Sequence, residues 1–157
     1  MKLSSGILLY RKKKELEFFL VRPGGPFYKA KQDDGIWCFP KGEIKGKETE
    51  IEAAKREFKE ETGFYIKDKI HPLGKIKLRK GKTISAYYCK KDLNPKELKS
   101  STFTMEYPKN SGILKSFPEI EEGNWFSFKE AKIKILPKLL PFLEKLIEEQ
   151  NCIEQDM

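Results

Sequence analysis

At 157 residues, with 38% hydrophobic and 36% charged residues, the chain has the length and composition of one globular domain with a heavily charged surface. No apolar run reaches the roughly 18 residues of a membrane span, and no secretory pattern stands at the N-terminus, so a cytoplasmic protein with no membrane partner is expected. The net charge of +8 is uneven: Gly42 to Phe64 holds seven glutamates against five Lys/Arg and sums to −2, which leaves +10 on the remainder.

In chain order, Ser5–Tyr10 and Leu16–Val21 read as paired strands joined by the Lys-rich turn Arg11 to Glu15. Pro23-Gly24-Gly25-Pro26 breaks the second strand and opens a long loop to Asp34-Gly35. Ile36–Phe39 has the look of a short buried strand stopped by Pro40. The loop Lys41 to Glu48 follows, then a helix over about Thr49 to Thr62. Further strands are expected near Ile70–Leu78, Thr83–Cys89, Phe103–Tyr107 and Trp125–Phe126, and helices near Phe128–Ile133 and Pro137–Glu149. In the last, Leu139, Leu140, Leu143, Leu146 and Ile147 recur at helical spacing. Strands around a central helix, with a docking helix at the end, give an α/β or α+β sandwich, a mixed sheet packed between helices. Cys38, Cys89 and Cys152 are far apart and odd in number, so reduced thiols are expected rather than a disulfide framework or a zinc site.

The chemistry concentrates on the central helix. Thr49 and Glu52 form a capping-box pattern, and Gly63 stands where a left-handed C-terminal cap is wanted. Ile51, Ala54 and Phe58 share a face that should pack on the sheet. Glu57, Glu60 and Glu61 lie at i, i+3 and i+4, so their carboxylates converge and repel. A hard cation removes that repulsion and takes oxygen ligands, whereas an ordinary solvated acidic face needs no ligand. On the triplet alone the solvated acidic face is the favoured reading.

The wider spacing reverses that preference. Gly42, five residues, Glu48, seven residues, then Arg56-Glu57-Phe58-Lys59-Glu60-Glu61-Thr62-Gly63-Phe64 resembles the Nudix box, with all seven fixed positions matched. Phe58 and Phe64 are aromatic where the family more usually has aliphatic residues. Trp37 to Glu43 before the box, and Pro118-Glu119 to Trp125-Phe126 after it, extend the resemblance over most of the chain, residues 1–157 being read as a single domain.

That resemblance implies a Nudix fold and a pyrophosphohydrolase using Mg²⁺ or Mn²⁺. Glu57, Glu60 and Glu61 would be metal ligands, with Glu57 also a candidate general base. Arg56 would orient Glu57; Glu48 would brace the loop or reach the metal through water. Gly42 would let the loop bend and offer its carbonyl to the cation. A late-loop acid completes such sites: Glu119 fits best, with Glu121 and Glu122 as rivals. The substrate would be a nucleotide-containing small molecule, a nucleoside triphosphate or dinucleoside polyphosphate being favoured because Pro40-Lys41-Gly42 resembles the latter's hydrolases. Lys41 and Arg22 are candidate phosphate contacts. Trp37 and Tyr107 are candidates to stack a base, and Ser101 to Gly112 is expected to line the pocket. His71 receives no catalytic role. The competing reading is a nucleotide- or RNA-binding module with little catalysis, motivated by the +10 outside the box; RNA is the less favoured partner. A monomer or a homodimer is equally compatible with the sequence.

Overall fold

The computed structural model describes residues 2–79 and 81–155, and side chains as far as Asn151. The first strand, β1 (Lys2–Lys12), is buried without interruption from Ser4 to Tyr10. A continuous buried run, rather than an alternating one, means that both faces of the strand are covered. Ile7 and Leu9 join the cluster holding Ala54 and Phe58, whereas Leu8 and Tyr10 join the one holding Phe142, Leu143 and Leu146. The strand is thus the spine of a sheet with a helix on each side.

Beside β1 lie β2 (Leu16–Pro23), antiparallel, and β5 (Lys82–Lys90), parallel; β4 (His71–Arg79) flanks β5 and β8 (Ile120–Ser127) flanks β2. A short strand, β3 (Lys41–Glu43), pairs antiparallel with the start of β1, placing Gly42 opposite Ser5 and Lys41 opposite Gly6. One face carries α2 (Glu50–Thr62); the other carries α4 (Leu140–Gln155), entered through a 3-10 turn at Pro137–Leu139. Two short helices, α1 (Pro26–Lys29) and α3 (Phe128–Lys134), lie at the edges. A separate hairpin of β6 (Thr102–Glu106) and β7 (Leu114–Pro118) stands off the main sheet. The mixed sheet between helices is the expected architecture, and among the described residues no helix is long and apolar enough to cross a membrane.

Four local expectations change. Ile36–Phe39 forms isolated bridges, Cys38 to Val21 and Trp37 to Ile135, rather than a regular strand. The hairpin's second strand carries a polar, mostly exposed sequence with no alternating signal, so it escaped the reading, as did the first half of β8. Ile51 is 43% exposed: it sits in the first helical turn, at the edge of a buried face made by Ala53, Ala54, Glu57, Phe58 and Thr62. The four-residue helix α1 falls inside what reads as a loop.

Candidate active site

Helix α2 is set by its ends. Thr49 Oγ1 accepts from the Glu52 amide at 3.1 Å while the Glu52 carboxylate accepts from the Thr49 amide at 3.0 Å, a closed capping box. Gly63 ends it with φ +82, and a Cβ there would meet the Lys99 carbonyl at 2.9 Å. These two fixed ends aim Glu57, Glu60 and Glu61 at the strand edge where β3 meets β1.

Gly42 does not bend the loop; it lies in β3 without a left-handed φ. Its role is space. A Cβ at Gly42 would sit 2.1 Å from Cδ of Glu57 and 2.3 Å from each carboxylate oxygen. Glu57, 8% exposed, occupies the volume that any other residue would fill. The bend in the loop falls instead to Gly46, at φ +55.

Arg56 organises the acids. Its Nε and Nη2 donate to the two Glu48 oxygens at 2.7 and 2.9 Å, and Nη1 donates to Glu57 Oε1 at 2.7 Å and more weakly to Glu60 at 3.3 Å. Nη2 also reaches the Glu43 carbonyl at 2.9 Å. Such a fork needs a planar guanidinium. The Arg56 bonds, with a second from the Lys45 amide, bring the Glu48 carboxyl down to about 2, and the Glu48 pairing leads the causes that raise Arg56. With both its oxygens occupied in this way, Glu48 braces the loop.

Glu61 is half-buried and pushed up to about 8, first by desolvation and then by the Glu57 and Glu119 charges; Lys41 opposes through its ammonium and its backbone amide. Lys41 is itself raised, with Cys38 as the leading cause, then Glu61, Tyr28 and Glu57. Burial takes the Cys38 thiol to about 11, so at neutral pH it is uncharged and the carboxylates are what hold the Lys41 ammonium. Glu119 is raised by burial and by Glu57 and Glu60, which places it with the box acids. Glu121 and Glu122 instead line a separate cleft with Asn94, Pro95 and Leu98. Ser101, the first residue of the stretch expected to line the pocket, ties this corner together. Its amide and hydroxyl both donate to the Glu60 carbonyl, at 2.8 and 3.0 Å, and its own carbonyl accepts from the Glu119 amide at 2.9 Å.

Hard oxygen donors grouped closely enough that Glu61 and Glu119 are raised by their acidic neighbours fit a divalent cation. Among the described residues no three acidic, His or Cys side chains already converge as a ligand set. Glu57 is turned to Arg56 and Glu61 is held by the Lys41 amide, so a cation would draw these side chains inward.

Two expected substrate contacts are corrected. Trp37 is 2% exposed, with its indole N–H donating to Asp33 at 2.9 Å and its ring packed edge-on against Phe126, so neither face is free to stack a base. Arg22 directs Nε to Asp33 at 3.1 Å and Nη2 to the Tyr28 and Lys31 carbonyls, which ties its guanidinium into the loop after β2. Asp33, which also pairs with Lys134, is the missed centre of that loop. Tyr107 remains exposed, resting edge-on against Phe117 with Lys115 over its ring. Its hairpin leaves the body between Ser101 and Glu119 and is seated by Phe103, whose ring lies 2.8 Å from where a Gly25 Cβ would be. It therefore borders the acids.

Fold and residue set together define a Nudix-type pyrophosphohydrolase. The NUDIX domain family model matches residues 2–149, and the chain belongs to that family. Among solved structures, a Caenorhabditis elegans Ap4A hydrolase in a binary complex is 23% identical, with a TM-score of 0.68 over 96% of this chain and 98% of that one. A MutT/Nudix family protein from Listeria innocua is 18% identical (TM-score 0.67, 99% and 98% covered). The NUDIX domain of Shewanella oneidensis NrtR, complexed with ADP ribose, is 15% identical (TM-score 0.66, 94% and 87% covered). At these identities the likeness is one of fold. No curated protein matches the chain in sequence.

Proposed function

We propose that the protein hydrolyses a phosphoanhydride bond in a nucleoside diphosphate linked to a further group, with Mg²⁺ or Mn²⁺ held by Glu57, Glu60 and Glu61 and assisted by Glu119. The observation that carries this reading is the fit of the Glu57 carboxylate into the space over Gly42, with Glu119 close enough to raise Glu61 and itself raised by Glu57 and Glu60. A bound divalent cation supplies neutralisation of charge on the phosphate oxygens and makes water more acidic. The protein's own groups do the positioning. Arg56 holds Glu57 through Oε1, and among the described residues Oε2 has no partner, so it is free to take a proton from the attacking water. Glu119, raised by burial, is the second candidate for that proton. Lys41, kept cationic beside Glu61, meets the phosphate chain, and Tyr107 on the bordering hairpin offers a face to a base.

A nucleoside triphosphate or a dinucleoside polyphosphate is the favoured substrate. Pro40-Lys41-Gly42 and the likeness to a fold named Ap4A hydrolase support the latter. The test is a panel of nucleotides incubated with Mg²⁺ or Mn²⁺, products being resolved by mass spectrometry. Metal-dependent release of a nucleotide, abolished by Glu60→Gln with Glu61→Gln, is expected. No turnover across the panel removes the hydrolase reading and leaves a binding module, and turnover indifferent to that double substitution removes Glu60 and Glu61 from the proposed mechanism.

A further inference from the structure

Cross-strand register fixes which side chains share a face of the β6–β7 hairpin. Phe103 pairs with Phe117 and Met105 with Lys115. Residues directly opposite point the same way, and side chains alternate along each strand. One face therefore carries Phe103, Met105, Lys115 and Phe117, with Tyr107 beyond them near the tip. Thr104 and Ser116, whose hydroxyls meet at 3.2 Å, belong to the other face, as does Leu114. The ring contacts agree: Phe103 lies 5.9 Å from Phe117, Tyr107 lies 5.8 Å from Phe117, and the Lys115 ammonium stands 5.5 Å over Tyr107. The pairing continues one step past the two strands, where the Glu119 amide donates to the Ser101 carbonyl. Two residues before Phe103 and two after Phe117, Ser101 and Glu119 fall on that same aromatic face, and the Ser101 side chain hydrogen-bonds to the Glu119 carboxyl.

A single surface thus begins at an acid of the candidate site and ends at exposed apolar groups. Phe117 is two residues, roughly 7 Å along a strand, from Glu119, and the Tyr107 ring leans back onto it. The step from acid to ring is comparable with that from the phosphates of a nucleotide to its base. The tip is braced: the Tyr107 amide donates to the Ile113 carbonyl at 2.8 Å, the Ser111 amide to the Pro108 carbonyl at 3.1 Å, and the Asn110 amide to the Glu106 carboxylate. Met105, Tyr107 and Ile113 are nevertheless exposed, as is Phe27 of α1, two residues after the Gly25 on which Phe103 rests. Apolar groups left uncovered beside a polar site mark a place where a ligand lies. Among the described residues Lys115 meets the Tyr107 ring and no carboxylate. A free ammonium between an acid cluster and an aromatic ring suits a ligand that carries negative charge next to a planar group.

We infer that this face of the hairpin is the specificity element of the site: Met105 and Tyr107 take the base of the substrate and Lys115 its phosphates, while the foot of the same surface supplies Glu119. The assignment rests on the proposed nucleotide chemistry at the glutamates but concerns binding alone. Calorimetry on the full chain in Mg²⁺ tests it with hydrolysis-resistant, methylene-bridged adenosine triphosphate and with methylenediphosphonate, which has no base. Stacking tolerates any base, so the chain should bind the nucleotide at least about tenfold more tightly than the diphosphonate. Tyr107→Ala should weaken the nucleotide about tenfold and the diphosphonate less than about twofold, and Tyr107→Trp should keep the affinity. Met105→Asp, which leaves the Tyr107–Phe117 contact in place, should give the same pattern as Tyr107→Ala. Lys115→Ala should weaken the nucleotide about threefold, a loss that fades at high salt. Leu114→Ala, on the opposite face of the same hairpin, should change neither ligand, and unchanged amide exchange in residues 102–118 shows that the variants keep the hairpin. No preference for the nucleotide, equal losses for both ligands in Tyr107→Ala, or an equal loss in Leu114→Ala overturns the assignment. Because no turnover is read, a chain that binds in this pattern yet cleaves nothing keeps the specificity element while losing the hydrolase reading; cleavage indifferent to Tyr107 does the reverse.

Discussion

Replacing Gly42 by alanine tests the geometry at the centre of the site. The added Cβ would lie 2.1 Å from Glu57 Cδ, and an ordinary contact begins at 3.4 Å, so the carboxylate must retreat by about 1.3 Å or β3 must leave β1. Forced overpacking of this kind costs about 1–3 kcal/mol. For a chain of this length that lowers the melting temperature by about 2–10 °C. Retreat also breaks the 2.7 Å bond from Arg56 to Glu57. Displacement of a reacting group by about 1 Å costs about 10²-fold in rate, so kcat should fall by about that factor on whichever substrate the panel identifies. The control is Gly46→Ala: φ is +55 there, but nothing lies within 4 Å of the new Cβ. It should cost about 1 kcal/mol through backbone strain and leave kcat within about threefold. The assays are thermal unfolding and steady-state kinetics on both variants. A Gly42→Ala enzyme with near-normal kcat, or one no more impaired than Gly46→Ala, would refute the argument that Glu57 needs this space.

Arg56→Lys keeps a charge but loses the fork that spans Glu48, Glu57 and Glu60, so kcat should fall about 10–100-fold with KM little changed; steady-state kinetics check this. Glu48 is depressed from 4.5 to about 2 by Arg56, so its contribution is complete above 4.5 and is lost as pH falls toward 2. Glu48→Gln should therefore flatten the acid limb of the stability curve between those values, which acid titration by circular dichroism reads directly. Asp33, held low chiefly by Lys134 and also by Trp37 and Arg22, acts with the same sign below its ordinary 3.8. Asp33→Ala should lower the melting temperature and shift the tryptophan emission as the indole loses its acceptor; unchanged emission would show that this bond does not hold the loop. Phe103→Ala removes the seat of the hairpin on Gly25 and should raise KM several-fold with faster amide exchange in residues 102–118, kcat being nearly kept.

How much was legible depended on distance along the chain. Glu57, Glu60 and Glu61 share one helix, so their convergence follows from 3.6 residues per turn, and Thr49 and Gly63 announce the helix ends by short-range chemistry. The choice of Glu119 over Glu121 and Glu122 was not settled in that way, because strand β8 carries the latter two toward another cleft. Trp37 and Arg22 misled for a related reason: an aromatic or an arginine near a motif has the right chemistry for a ligand, and only packing shows that Asp33 has already engaged both.

The glutamate helix, its caps and the spacing to Gly42 and Glu48 were determined by the sequence alone, since each depends on local periodicity. Tertiary structure decided what those residues meet. Strand pairing set Gly42 across from Ser5 and under Glu57, burial raised Glu61 beside Lys41, and Ser101 drew Glu119 to the end of the helix. Space, desolvation and charge proximity are properties of the fold, and no window of sequence contains them.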